Sequence, residues 1–118
     1  YFRLADVLLM KAEAYLRGGS GGTNAGGYGT TALALVNSVR THPSRNASVM
    51  ASVNLDQLLD ERGRELYLES WRKQDLIRFG KYLQAWQEKA ASDPKYLYFP
   101  IPNGQLAANP NLTQNPGF

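Results

Sequence analysis

Three glutamates, Glu61, Glu65 and Glu69, stand four residues apart in the stretch DERGRELYLESW, with Arg62 and Arg64 between them. At helical pitch their carboxylates share one stripe, where like charges at i,i+4 spacing weaken an isolated helix. Two chemistries suit such a stripe. Paired carboxylates serve as acid and base of a glycoside hydrolase when they flank a sugar, about 5 Å apart in retaining enzymes and about 6.5–9.5 Å apart in inverting ones. Neighbours on one helix point side by side and do not flank a ring, so no catalytic residue is assigned. The stripe instead asks for cationic partners. Asp60 and Arg64 offer an i,i+4 pair on the adjoining face, while Arg72, Lys73, Arg78 and Lys81 follow within a hairpin's reach. The expectation is a structural network of Asp60, Glu61, Arg62, Arg64, Glu65, Asp75 and Arg78 that fixes how two helices meet, with Asp75 and Arg78 partly buried in it. Gly63, mid-helix at a cost of about 1 kcal/mol against alanine, marks close approach by another element.

Other residue types carry less chemistry. The stretch GGSGGTNAGGYGT has the glycine content of a phosphate cradle but matches neither G-x-G-x-x-G nor a P-loop, because no Lys-Ser or Lys-Thr follows. It reads as a helix-to-helix linker with Tyr28 as an anchor. The chain has no cysteine and one histidine, His42, beside Pro43 in a loop, so no metal site or cofactor is expected. Trp71, Tyr82, Trp86, Tyr96 and Tyr98 are able to stack on sugars, but Tyr82 and Trp86 fall among leucines at helical spacing and read as core, with Trp71 as a wedge between helices. Two Asn-x-Ser/Thr sequons, at Asn46 and Asn111, are weak signals.

The elements that position these residues follow from periodicity. A first helix is expected over about 2–17, with Leu4, Val7, Leu8, Ala12, Tyr15 and Leu16 three or four apart and Leu9, Met10 and Ala14 widening the stripe. It starts without a capping residue, as in a fragment of something longer. A second helix, 31–41, begins at Thr30 or Thr31 and stops before Pro43. The third, 55–71, opens at Asn54 or Asp56; the fourth, 73–89, has Leu76, Phe79, Leu83 and Trp86 inside. The fold class is therefore all-α, a single unit spanning 1–118. The two leading helices form a hairpin with the small-large-small spacing Ala32, Val36, Val39 of a degenerate tetratricopeptide repeat.

Residues 94–118 lose the helical period but not the apolar content. Tyr98, Phe99, Ile101, Leu106, Leu112 and Phe118 alternate with prolines and asparagines, which predicts an ordered, mostly non-helical strap with those side chains pinned and one helical turn at 105–108. The 118 residues carry a net charge of +3 with the basic groups dispersed, which argues against nucleic acid. No stretch reaches the roughly 20 apolar residues of a membrane span.

The segments RLADVLLMKAEAYL, ALALVNSVR, DERGRELYLES, DLIRFGK and FPIPNGQLAANPNLTQNPGF resemble, in order and spacing, the C-terminal part of the SusD/RagB family of bacterial outer-membrane nutrient-binding lipoproteins. The resemblance implies an all-α fold of tetratricopeptide-like hairpins. It also implies a non-enzymatic role at the cell surface: capture of an oligosaccharide or other nutrient, handed to a SusC-like TonB-dependent transporter. Attachment to the membrane would run only through an N-terminal lipid anchor that this chain lacks. The family's sugar-contacting aromatics lie mainly upstream, so the chain would supply scaffold, and its ligand-binding residues stay unassigned. A free-standing helical-repeat adaptor for peptides or proteins is the alternative. As part of a larger protein, the chain would expose apolar helix faces.

Overall fold

The computed structural model describes residues 2–118 as five α-helices and two short 3-10 turns, with no strand among the described residues. It divides into two compact units, one ending at Arg72 and the other running from Lys73 to the C-terminus.

In the first unit, α1 (Leu4–Leu16), α2 (Ala32–Arg40) and α3 (Leu55–Glu65) surround one core, with α1 packed on both others. Leu8, Leu9 and Ala12 of α1, Leu35, Val36 and Val39 of α2, and Leu58, Leu59 and Leu66 make that core. Their three-and-four spacing puts each set on one helix face. The starts differ in kind. Arg3, at the N-cap of α1, makes no side-chain cap; Thr31 accepts from the Ala34 amide at 3.2 Å; Asn54 and Gln57 close a reciprocal capping box with both bonds at 2.9 Å. The glycine-rich linker holds a single 3-10 turn at Ala25–Gly27, and Tyr28 beside it is half-buried. The 41–54 loop is fixed by Asn37, whose side-chain amide donates to the Met50 carbonyl (3.0 Å) and accepts from the Met50 amide (2.8 Å).

The third helix is shorter than its periodicity suggests. It ends at Glu65, whose carbonyl, one of the acceptors a helix end leaves without an internal partner, takes a hydrogen bond from Arg3 at 2.7 Å. Residues 66–70 form turns, with Leu68 (φ 64°) and Ser70 (φ 66°) in the left-handed region.

The helix α4 (Arg72–Arg78), which belongs to the second unit from Lys73 on, is likewise cut short, at Gly80, whose φ of 69° suits a glycine terminator. The Lys81 and Tyr82 amides fold back onto the Leu76 carbonyl at 2.8 and 3.0 Å. Trp86, expected inside a helix, lies on a tight turn bonded both ways to Lys89, and is exposed. A 3-10 turn at Pro94–Leu97 and α5 (Asn103–Ala108) make the terminal segment more helical than expected. Nor are its apolar side chains pinned as expected: Tyr98, Phe99, Leu112 and Phe118 are exposed, with only Ile101 and Leu106 half-buried. Polar groups hold it instead. The Gln114 side chain bonds the Ile101 amide (2.8 Å) and carbonyl (3.0 Å), and Asn115 donates to the Phe99 carbonyl at 2.6 Å. Lys73 lies over the rings of Phe99 (4.1 Å) and Tyr82 (5.4 Å), and Lys95 over those of Tyr96 (5.4 Å) and Phe118 (5.6 Å).

Candidate functional site

The three glutamates lie beside an open cleft of the first unit, Glu61 and Glu65 buried on α3 and Glu69 exposed in the turn after it, and each meets at least one arginine. Glu61 accepts from Arg40, at the end of α2, and from Arg64 at 2.7 Å. Glu65 accepts from Arg45 in the 41–54 loop and from Arg3 at 2.9 Å. Arg3 also reaches Glu69 with two of its nitrogens, at 2.9 and 2.7 Å. That charge-assisted hydrogen bond holds the Glu69 carboxyl below its ordinary range and raises the Arg3 guanidinium.

The partners are thus not those expected from the fourth helix. They come from the N-terminal end of α1, the C-terminal end of α2 and the loop after it, because the turns at 66–70 end α3 before a long hairpin forms. The anticipated Asp60–Arg64 pair is also replaced: Arg64 turns to Glu61, three residues away, while Asp60 is exposed.

Arg62 points the other way, into the core. Its guanidinium meets Asp6 of α1 at 2.9 Å, with both side chains almost wholly buried. No pattern within either helix announces this pair, since the two residues are 56 positions apart (62 minus 6). The Asp6–Lys11 and Arg62–Leu66 neighbourhoods look like ordinary amphipathic helix. A signal did exist: an acid on the otherwise apolar face of α1 has to find a buried cation.

Gly63 gives room for Arg72. A Cβ there would stand 2.7 Å from the Arg72 Nη1, which donates to the Leu59 carbonyl at 2.8 Å. In the second unit, Asp75 is buried and accepts from Arg78 at 2.8 Å, three residues on. His42 stays at the surface, bonded to Ser44 at 2.7 Å.

An open cleft of about 420 Å³ lies over this network, lined by Arg40, Arg45, Met50, Glu61, Arg64 and Glu65. Its carboxylates are occupied by guanidinium groups, and they share one helix instead of facing each other across a ring. Such an arrangement holds helices together; it offers no pair placed for acid–base work on a glycosidic bond. Among the described residues no cluster of histidine, aspartate and glutamate is arranged to hold a metal, and no helix is long and apolar enough to cross a membrane.

Comparison with known proteins gives one family. The profile of the SusD family matches residues 1–118. The starch-binding protein SusD of Bacteroides thetaiotaomicron is 34% identical over 126 aligned residues, which cover 99% of this chain and 21% of that protein. Two SusD-like proteins of Formosa agariphila are each 33% identical, over 97% of this chain and 23% of their own length. The chain therefore spans between a fifth and a quarter of the length of the curated relatives it matches.

Proposed function

The chain belongs to the SusD family, and on that premise we propose that it is the scaffold part of a non-catalytic nutrient-binding protein of the bacterial cell surface, whose ligand is a glycan. One observation carries the reading: the likeness runs along the whole chain, and one relative is named a starch-binding protein. The full protein captures an oligosaccharide by stacking and hydrogen bonding, is held at the outer membrane by a lipid anchor, and works with a SusC-like TonB-dependent transporter. Membership of the family supports these last two features.

Within that protein, Asp60, Glu61, Arg62, Gly63, Arg64, Glu65, Asp75 and Arg78 position helices and do not touch ligand. The burial of Glu61, Arg62, Glu65 and Asp75 favours this assignment. So does the engagement of Glu61 and Glu65 by two arginines each. A contact residue for sugar has to keep donors and acceptors free for hydroxyl groups, and these are already committed.

The test is calorimetric titration of the full-length protein with soluble starch fragments and other oligosaccharides, beside its Glu61→Gln and Arg64→Ala variants. The expected result is binding without release of shorter sugars. The variants should keep the wild-type affinity while melting at lower temperature. Hydrolysis of the sugar would overturn the non-catalytic reading; a variant that loses binding at unchanged melting temperature would overturn the scaffold assignment.

A further inference from the structure

Trp86, whose spacing among leucines places it inside a helix, stands 57% exposed on a turn of the second unit. That turn is firmly held for its size. Trp86 and Lys89 exchange backbone hydrogen bonds at 3.0 and 2.8 Å, the Lys89 ammonium donates to the Gln84 and Ala90 carbonyls at 3.2 Å each, and the Ser92 amide closes the base onto the Leu83 carbonyl at 2.9 Å. Gln87, at the tip, has a φ of 41°, in the left-handed region that an L-residue keeps only where its surroundings enforce it. An open cleft of about 640 Å³ borders the ring, lined by Trp86, Gln87, Glu88 and Lys89. The side chains of Gln87 and Glu88 are exposed, and neither makes a hydrogen bond or ion pair among the described residues.

We propose that this turn is a glycan contact in its own right: the Trp86 indole stacks on one pyranose ring, and Gln87 and Glu88 hydrogen-bond that ring's hydroxyl groups. The proposal rests on the reading of the protein as glycan-binding, and it adds a contact that lies outside the helix-positioning charges. A pyranose presents C–H groups on its faces and hydroxyls around its edge, so it needs a broad apolar plate with uncommitted polar groups beside it. Gln87 supplies amide donors and a carbonyl acceptor, and Glu88 supplies carboxylate acceptors. Other occupants fit less well. A protein surface, whether of a partner or of the same polypeptide, has to meet a cluster of apolar side chains over about 800 Å², whereas Trp86 is the one large apolar residue between Gln84 and Lys89. An anionic lipid surface would be repelled by Glu88, while the one cation of the turn, Lys89, is engaged by backbone carbonyls. Because the turn is closed by its own hydrogen bonds, little ordering is left for the ligand to impose.

The test uses the full-length protein labelled with fluorotryptophan, in which Trp86→Phe identifies the Trp86 fluorine resonance. It is titrated with soluble oligosaccharides of starch, β-glucan and xylan, and calorimetry records which of them bind. For a sugar that binds, the Trp86 resonance should shift and saturate, and both Glu88→Ala and Gln87→Gly should raise the concentration at its midpoint severalfold with little change in melting temperature. Three results would each overturn the inference while leaving the glycan reading in place: a Trp86 resonance that stays still as the sugar binds, a midpoint unchanged in both variants, or a Trp86 fluorine inaccessible to a soluble paramagnetic agent in the ligand-free protein. Failure of the wild type to bind any of these sugars would overturn the glycan reading and the inference with it.

Discussion

Arg62 is the largest side chain that the fold buries completely, and it is a cation. Its pairing with Asp6 ties α1 to α3 from inside, where an uncompensated charge costs several kcal/mol. Arg62→Ala should therefore lower stability by about 3–5 kcal/mol in chemical denaturation. Converting the partner as well, in Asp6→Leu with Arg62→Met, should recover a measurable part of that loss; a double variant no more stable than Arg62→Ala would show that the pairing is not what counts. Glu69 makes the opposite case, an exposed carboxylate clamped by Arg3. Because its folded pKa is depressed, its contribution is present above the usual carboxylate range and is lost as pH falls through that range and below it. Wild type should thus exceed Glu69→Gln in urea midpoint at neutral pH, and the gap should close on acidification. A gap independent of pH would contradict the linkage.

At the scale of elements, the informative features are where helices stop. The capping box at Asn54 fixes the start of α3 by local sequence alone. Its last carbonyl is capped by Arg3, 62 positions away, and the turn that follows holds two residues in left-handed backbone. Leu68 and Ser70 each carry the cost of about 1–2 kcal/mol that an L-residue meets there. Ser70→Gly should raise stability by roughly 0.5–1 kcal/mol, read as an increase in melting temperature, because glycine adopts that conformation freely. No increase would mean that Ser70 makes a compensating interaction. The same economy of local signals explains α4, whose stop at Gly80 is a recognisable C-terminal glycine once the competing apolar pattern of Leu83 and Trp86 is discounted.

For the molecule as a whole, the apolar surface left open on the first unit matters more than any pocket. Phe2, Leu4, Val7 and Met10 are exposed near one another at the start of α1, where apolar side chains favour association. Residues 1–118 expressed alone should self-associate, with sedimentation coefficients rising with concentration, and Val7→Lys should reduce that tendency. A monodisperse monomer at high concentration would contradict this. The second unit exposes Trp86, Tyr96, Tyr98 and Phe99 in its turn, and its backbone is held by amide side chains and lysine–ring contacts, so it has little core of its own.

The helical class, the core of α2, the cap at Asn54 and the family were legible in the sequence, because each rests on local spacing or on a contiguous motif; the stripe read for α1 held only at Leu8 and Ala12, while Leu4 and Val7, expected inside with them, are exposed. The three-glutamate stripe was legible as a demand for cations, and Asp75 and Arg78 as charges partly buried in a network, though not as partners of each other. The identity of the cations was not. Arg3, Arg40 and Arg45 reach the stripe only because α1, α2 and the loop after it fold back onto α3, and no periodicity records such returns. The same holds for the length of α3, for the pairing of Asp6 with Arg62, and for the rings of the C-terminal segment, whose apolar residues were expected inside. Composition set how much apolar surface there is to bury; tertiary structure alone decided which faces find a partner, since that depends on contacts between residues far apart in the chain.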